Sequence, residues 1–182
     1  MAHRTMAQLQ EGLEHILASP SDNGTLEMIV VRPDSGSRET PDRCEISLAG
    51  GVHGDYWIRK THVHTDDGQS HPDVQICMMN ARCIDAIAQS RDNWSPAGDN
   101  FFLDLDLSPE NLPVGQRLGI GTAVIEITAE PHLGCGSFAR RYGPDAVKFV
   151  NDEYGKSKRL RGVYARVVQD GRVSVGDTVS KL

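Results

Sequence analysis

Short apolar runs separated by turn residues constrain the fold of this chain more than any other feature. Several runs alternate apolar and polar residues, as in FFLDLDL at residues 101–107, a pattern typical of a strand with one solvated face. The 182 residues include 18 glycines and 9 prolines, which supply the turns that many short strands need. We therefore predict a mainly β protein with peripheral helices, in which the strands form a closed or nearly closed barrel.

The apolar patterns also predict where the elements lie. Residues 5–18 place their apolar side chains on one helical stripe, and we expect this N-terminal helix, within residues 1–24, to pack on a single domain formed by 25–182. Further helices are predicted at 80–90, capped by Asn80, and within 137–154. Predicted strands cover 25–31, 44–48, 74–79 and 101–107, with a strand pair within 117–128 and a closing hairpin formed by 161–168 and 172–179.

Charge and the cysteine pattern limit the possible partners and compartment. The 25 acidic residues outnumber the 19 basic ones, for a formal net charge of −6, which argues against nucleic-acid binding driven by bulk charge. No apolar run is long enough to span a bilayer, and no C-x-x-C pair or regular cysteine framework appears. We therefore expect a cytoplasmic protein that acts on neither nucleic acid nor membrane. The sequence leaves its oligomeric state open.

Cys135 is the main candidate for chemistry. It lies in PHLGCGS at residues 131–137, between a strand-like and a helix-like run, and its glycine neighbours leave the thiol accessible. If Ser137 caps the following helix, the first free amides, the helix dipole and Arg140 or Arg141 would favour a thiolate. A thiolate is a nucleophile, a sulfur carrier or a soft metal ligand. The alternative is a small residue in a tight turn.

The other cysteines and a group of histidines are weaker candidates. Cys44, Cys77 and Cys83 lie in apolar patterns and are predicted to be core residues. Four histidines in the irregular segment 53–71 could contribute to a metal site with nearby aspartates, or could simply belong to a solvated loop. These histidines are His53, His62, His64 and His71.

Taken in order, several short motifs resemble those of the MOSC domain, named after the carboxy-terminal domain of molybdenum cofactor sulfurases. The resemblance covers about residues 25–179. The motifs are GVHGD at 51–55, VQICMMN at 74–80, GDN at 98–100, LPVGQRLGIG at 112–121, PHLGC at 131–135, and RGVYARVV with GDTV at 161–168 and 176–179.

This resemblance implies a MOSC-type barrel with a pocket around the cysteine. In members that bind molybdenum cofactor (molybdopterin), the matching cysteine is a metal ligand or is thought to carry sulfur as a persulfide, and some members reduce N-hydroxylated substrates. The pyridoxal-phosphate domain of the full sulfurases is not part of this chain. Around Cys135 we expect Gly54, Asp55, Arg59, Lys60, Asp99, Asn100, His132 and Arg140 to converge, with Asp99 and Asn100 on the pocket rim.

Two functions follow from these observations. In the first, the chain binds molybdenum cofactor through Cys135 and acts as a reductase or sulfur carrier, with a redox protein or a molybdenum enzyme as partner. In the second, it is a non-catalytic barrel module that binds a small anionic ligand. The cations near the glycine-rich turn, Arg59 and Lys60, suit an anion in either case.

Overall fold

The computed structural model describes residues 3–59, 61 and 63–182, and its ten strands form two sheets. Among these residues, seven strands close a barrel in the order β1-β10-β6-β7-β8-β4-β5, and three form a smaller sheet in the order β3-β2-β9. The strands are β1 (Gly24–Ile29), β2 (Arg43–Ser47), β3 (Gly51–Val52), β4 (Ile76–Asn80), β5 (Phe101–Asp104), β6 (Arg117–Ile120), β7 (Ala123–Ile127), β8 (Val163–Gln169), β9 (Gly171–Ser174) and β10 (Thr178–Lys181). The predicted mainly β fold with a closed barrel is confirmed.

Closure of the barrel depends on β1, which pairs antiparallel with β10 on one side and with β5 on the other. β4 and β5 are parallel and are joined through a helix, as a parallel pair requires. The barrel interior is filled by inward-facing aliphatic side chains such as Leu26, Leu103, Ile125 and Ala165, none of them solvent-exposed. The alternation in the sequence therefore reflects this core, although the strand predicted over 101–107 ends at Asp104.

The predicted closing hairpin of 161–168 and 172–179 is wrong. β9 does not return along β8 but pairs with β2, and β10 joins β1 and β6 in the barrel. The turn between β8 and β9 explains the difference, because Asp170 Oδ1 accepts a hydrogen bond from Leu48 N at 2.7 Å, just beyond β2. On the other side, Thr122 N in the β6–β7 turn donates to Arg172 O at 3.0 Å. These contacts direct β9 into the second sheet.

The helices cover the outside of the barrel. They are α1 (Met6–Glu11), α2 (Leu13–Leu17), α3 (Ala81–Ala88), α4 (Gly136–Tyr142), α5 (Pro144–Asn151) and α6 (Glu153–Ser157). The helix predicted over 5–18 is present as α1 and α2, which meet at Gly12, and the predicted cap of α3 is confirmed because Asn80 Oδ1 accepts from Cys83 N at 2.9 Å. The division of the chain at residue 24 stays a prediction.

A second hydrophobic cluster joins these helices to the barrel wall. It includes Leu9 of α1, Ile84 of α3, Phe138 of α4 and Phe149 of α5, packed against Phe102 of β5. This cluster anchors α4, which directly follows the loop that contains Cys135, and α5, which comes next in the chain. None of the helices in the described residues is both long and apolar enough to cross a bilayer.

Candidate functional site

One cavity of about 640 Å³ opens beside Cys135, a size typical of small-molecule and cofactor sites. Its wall is formed by the segments that follow β1 and β3, by one end of β4 and β8, and by the loop that leads into α4. The lining residues are Arg32, Ser35, Arg38, Tyr56, Trp57, Thr61, Val74, Cys77, Ala97, Gly98, Pro131, His132, Leu133, Cys135, Ser137, Arg141, Arg161 and Tyr164.

Cys135 is the residue that immediately precedes α4, and its thiol is exposed. Partial burial raises the pKa of this thiol. Hydrogen bonds from the backbone N–H groups of Phe138 and Ser137, together with the charge of Arg161, lower the pKa by more than burial raises it, so the pKa lies below its ordinary value. A cysteine with this combination of exposure and thiolate stabilisation is suited to nucleophilic, sulfur-carrying or metal-binding chemistry.

The predicted cap of this helix needs a correction. The N-cap residue is Cys135 and not Ser137, which lies inside the first turn. The Ser137 hydroxyl accepts a hydrogen bond from Arg140 Nη2 at 2.7 Å, so Arg140 faces its own helix. Sequence rules for caps favour serine over cysteine, and they therefore placed the start of the helix two residues late.

The other three cysteines lie in less reactive surroundings. Burial raises the pKa of the Cys44 and Cys83 thiols to about 12. Cys77 is also buried, which raises its pKa, although its sulfur lies at the cavity wall and accepts a hydrogen bond from Arg32 Nη1 at 3.2 Å. Burial both disfavours the thiolate and limits access by reagents.

We expect iodoacetamide near neutral pH to label Cys135 at least about tenfold faster than the other three cysteines. The labelling rate at Cys135 should rise with pH and reach its midpoint below pH 9.0, because a lowered pKa means that the reactive thiolate forms at a lower pH. Peptide mapping over a pH series measures both quantities. Cys77 is the internal control, since it borders the same cavity, and faster labelling there would contradict the assignment.

A buried ion pair holds one of the cavity arginines. Asp55 Oδ2 and Oδ1 accept from Arg32 Nε at 2.8 Å and Nη2 at 2.9 Å, and the Asp55 side chain is 1% exposed. Asn100 links the two residues, since its Oδ1 accepts from Arg32 Nη2 at 3.1 Å and its Nδ2 donates to Asp55 Oδ2 at 3.0 Å. The planar guanidinium is thereby fixed in one orientation at the cavity wall.

A second buried pair holds another cavity arginine in the same way. Arg161 Nη1 donates to both carboxylate oxygens of Asp99, at 2.9 and 2.8 Å, and Asp99 is completely buried. His132 Nε2 lies 3.6 Å from Asp99 Oδ1, and the His132 ring packs against Tyr164 with centroids 4.4 Å apart. Asp99 and Asn100 are both fully buried, and their side-chain oxygens hold Arg161 and Arg32 in place. They therefore lie behind the cavity wall and not on its rim.

Two further arginines border the cavity without a carboxylate partner. Neither Arg38 nor Arg141 forms a salt bridge within the part of the chain that the structure describes. Burial and the charge of Arg141 both lower the pKa of Arg38. No aspartate or glutamate is present among the described lining residues, so the cavity is built to receive negative charge.

Comparison with known protein families shows which family the chain belongs to. The family model of the MOSC domain matches residues 60–180, well over half of the chain. The chain belongs to the MOSC domain family. A search of curated proteins finds no match.

Solved structures show that the barrel of this MOSC domain is shared. YuaD from Bacillus subtilis is 16% identical, with a TM-score of 0.59 over 87% of this chain and 94% of that chain. YiiM from Geobacillus stearothermophilus is 19% identical, with a TM-score of 0.57 over 87% and 75% of the two chains, and YiiM from Escherichia coli is 16% identical, with a TM-score of 0.55 over 87% and 69%. At these identities the likeness concerns the fold.

Several residues expected at the site of this MOSC domain do not line the cavity. Arg59 donates to Pro33 O at 2.6 Å and Arg140 to Ser137, and neither is a wall residue. Gly54 has a φ of 83° and forms the turn before Asp55, which pairs behind the wall. Lys60 lies outside the described residues. Of the predicted set, Cys135 and His132 border the cavity directly, while Asp55, Asp99 and Asn100 support it from behind.

Sequence reasoning missed Arg32, Arg38 and Arg161 as cavity residues. Arg32 directly follows the strand predicted over 25–31, and a charged residue at the end of a predicted buried strand is the available signal. Arg161 is part of the RGVYARVV motif but was assigned to a strand. Arg38 lies in a polar loop with no distinguishing pattern.

The histidine-rich segment of this MOSC domain does not assemble ligands within the described residues. No group of three or more His, Cys, Asp or Glu side chains there comes together as a metal site. His64 is in an isolated bridge with Ser70, the His71 ring accepts from Asp73 N at 3.2 Å, and His53 borders a different groove. His62 lies outside the described residues.

Proposed function

We propose that this MOSC domain binds molybdenum cofactor in the Cys135 cavity and uses it in the reduction of N-hydroxylated substrates. In the other form of this function, Cys135 carries a persulfide and the domain acts in sulfur transfer. One observation supports this function above all. The cavity is lined by an exposed cysteine whose thiol pKa is lowered and by four arginines, with no carboxylate among the described lining residues.

The chemistry of this donor set fits the cofactor. A thiolate is the kind of soft ligand that heavy metals prefer, and guanidinium groups bind phosphate through paired hydrogen bonds. Arg38 and Arg141, which have no carboxylate partner in the described chain, would hold the phosphate, and Cys135 would be the protein ligand to the metal. When bound, the cofactor supplies two-electron redox chemistry and a site for sulfur transfer.

The residues of the chain itself then have separate roles. Asp55 and Asp99 neutralise Arg32 and Arg161, so these two arginines contribute fixed hydrogen-bond donors with reduced net charge. Arg38 and Arg141 contribute the uncompensated positive charge. Tyr56 and Trp57 form an apolar part of the wall. Such a division lets the cavity orient a ligand through its rigid pairs and attract it through its free cations.

The proposal also includes a location and a partner. Persulfide or metal-thiolate chemistry on an exposed cysteine needs a reducing compartment, which favours the cytoplasm. Turnover would require a redox protein, or a molybdenum enzyme that receives the sulfur.

Metal analysis of protein produced in a cofactor-replete host tests the proposal. We expect near-stoichiometric molybdenum in the wild type and at least about a tenfold loss in Cys135→Ser, because the thiolate ligand is removed. Cys44→Ser is the matched control, since Cys44 lies outside the cavity. If Cys135 carries sulfur, cyanide-releasable sulfur is found in the wild type and is absent from Cys135→Ser.

A wild-type protein with neither molybdenum nor releasable sulfur would contradict this function. Retained binding of a small anion that depends on Arg38 and Arg141 would then identify the domain as a non-catalytic binding module.

A further inference from the structure

The peptide groups of Gly134, directly before Cys135, are held by a single side chain. Asn151, the last residue of α5, accepts from Gly134 N through Oδ1 at 2.8 Å and donates to Gly134 O through Nδ2 at 2.7 Å. One amide thus satisfies both backbone groups of one residue. This contact joins the cysteine loop to a helix 17 residues further along the chain.

Close packing adds to this contact and explains the glycine. A Cβ at position 134 would lie 2.9 Å from Val147 Cγ2 and 3.1 Å from Val150 Cγ2, which is closer than van der Waals contact allows. A side chain at position 134 would therefore force Val147 and Val150 or the loop to shift, and glycine lets the loop approach α5 closely without such a shift. α5 is itself anchored in the helix cluster through Phe149 and Val150, so the loop is tied to a rigid part of the molecule.

The position of the Cys135 sulfur depends on this tie. Cys135 directly follows Gly134, immediately precedes α4 and lines the cavity. The Gly134 carbonyl that Asn151 holds belongs to the peptide bond with Cys135, so rotation of this planar peptide group would redirect the Cys135 side chain. The placement of the sulfur at the cavity therefore rests on an amide that does not itself line the cavity.

We propose that Asn151 is a positioning residue for Cys135, which fixes the sulfur toward the cavity by clamping Gly134. The importance of this position for function rests on the proposed function, but the clamp itself does not. A general principle applies here, because reacting groups are held in place by neighbours that have no chemical role of their own.

The test compares Asn151→Leu, which keeps the shape of the side chain but removes both hydrogen bonds, with Asn111→Leu. Asn111 is a matched control, since its Nδ2 donates to Asp106 O at 2.7 Å and its Oδ1 accepts from Lys181 Nζ at 2.9 Å, away from the cavity. Cys135 is cyanylated in each protein, and the infrared stretch of the nitrile reports the surroundings of the sulfur. Hydrogen exchange at Gly134 reports the clamp.

In Asn151→Leu we expect exchange at Gly134 to be about tenfold faster, and the nitrile band to broaden and move toward its frequency in an unfolded peptide. Asn111→Leu should leave the exchange rate at Gly134 and the nitrile band unchanged, although it should destabilise the protein by an amount similar to Asn151→Leu. An unchanged nitrile band in Asn151→Leu would overturn the proposal. If that variant fails to fold, Asn151→Asp, which keeps the acceptor for Gly134 N, takes its place with the same expectation for the band.

Neither readout involves the cofactor. A protein without molybdenum whose nitrile band still depends on Asn151 would refute the proposed function and leave the positioning role intact. The reverse result, full molybdenum loading with a band independent of Asn151, would refute only the positioning role.

Discussion

Replacement of Asp55 by asparagine is expected to destabilise the protein by about 3–5 kcal/mol, because it leaves the buried Arg32 guanidinium without its counter-charge. The Asp55 carboxylate accepts hydrogen bonds from five donors, which are Arg32 N, Nε and Nη2, Trp57 N and Asn100 Nδ2. An amide has one oxygen for these donors, and its NH₂ group would face N–H groups. Urea denaturation measures the loss.

The control for this prediction is Glu45→Gln, which also removes a carboxylate partner of an arginine. Glu45 lies 3.4 Å from Arg172, and both side chains are more than half exposed, so we expect little change in stability. A loss in Asp55→Asn no larger than that in Glu45→Gln would contradict the buried network. The remaining folded Asp55→Asn protein should also have a more positive cavity, since no carboxylate offsets the charge of Arg32.

Gly162→Ala is expected to destabilise the protein as much as Asp55→Asn or more, by more than about 4 kcal/mol. Gly162 lies between Arg161 and β8 with a φ of 114°, and a Cβ there would overlap the Met78 carbonyl oxygen and lie 3.1 Å from His132 Nδ1. Both the backbone conformation and the space exclude a side chain. The midpoint of denaturant unfolding measures the effect.

Gly115→Ala separates these two contributions. Gly115 has a φ of 87°, and nothing lies within 4 Å of a Cβ placed there. Only the strain of a left-handed backbone conformation then remains, and we expect Gly115→Ala to lower the free energy of unfolding by about 1 kcal/mol. Equal unfolding midpoints for the two variants would show that β4 does not approach Gly162 as described.

The extent to which sequence predicts this structure depends on how local the determining contact is. The barrel strands follow from alternation within single segments, and the Asn80 cap depends on a residue three positions away. The pairing of β9 with β2 was missed because it joins distant segments. The local pattern of 161–179 fits a hairpin equally well, and only the contacts of Asp170 and Thr122 decide against it.

The same distinction applies to the candidate site. Cys135 could be identified from its glycine neighbours and the following helix, both of which are local. Asp55 and Asn100 are predicted near the cavity, but their burial depends on contacts with Arg32. Arg32 is 23 residues from Asp55 and 68 residues from Asn100 in sequence. The acidic residue nearest to Arg32 in sequence is Asp34, so no local pattern indicates Asp55 as its partner.

Pairing of β1 with β10 determines when the barrel can close during synthesis. β1 leaves the ribosome early, and β10 is the last described strand, so one edge of β1 stays open until almost all of the described chain has been made. Non-local pairing of this kind folds slowly and exposes strand edges in the meantime. Arg32, which lines the cavity, lies three residues beyond the end of β1. The barrel beside the cavity therefore stays open in the nascent chain until β10 has been made.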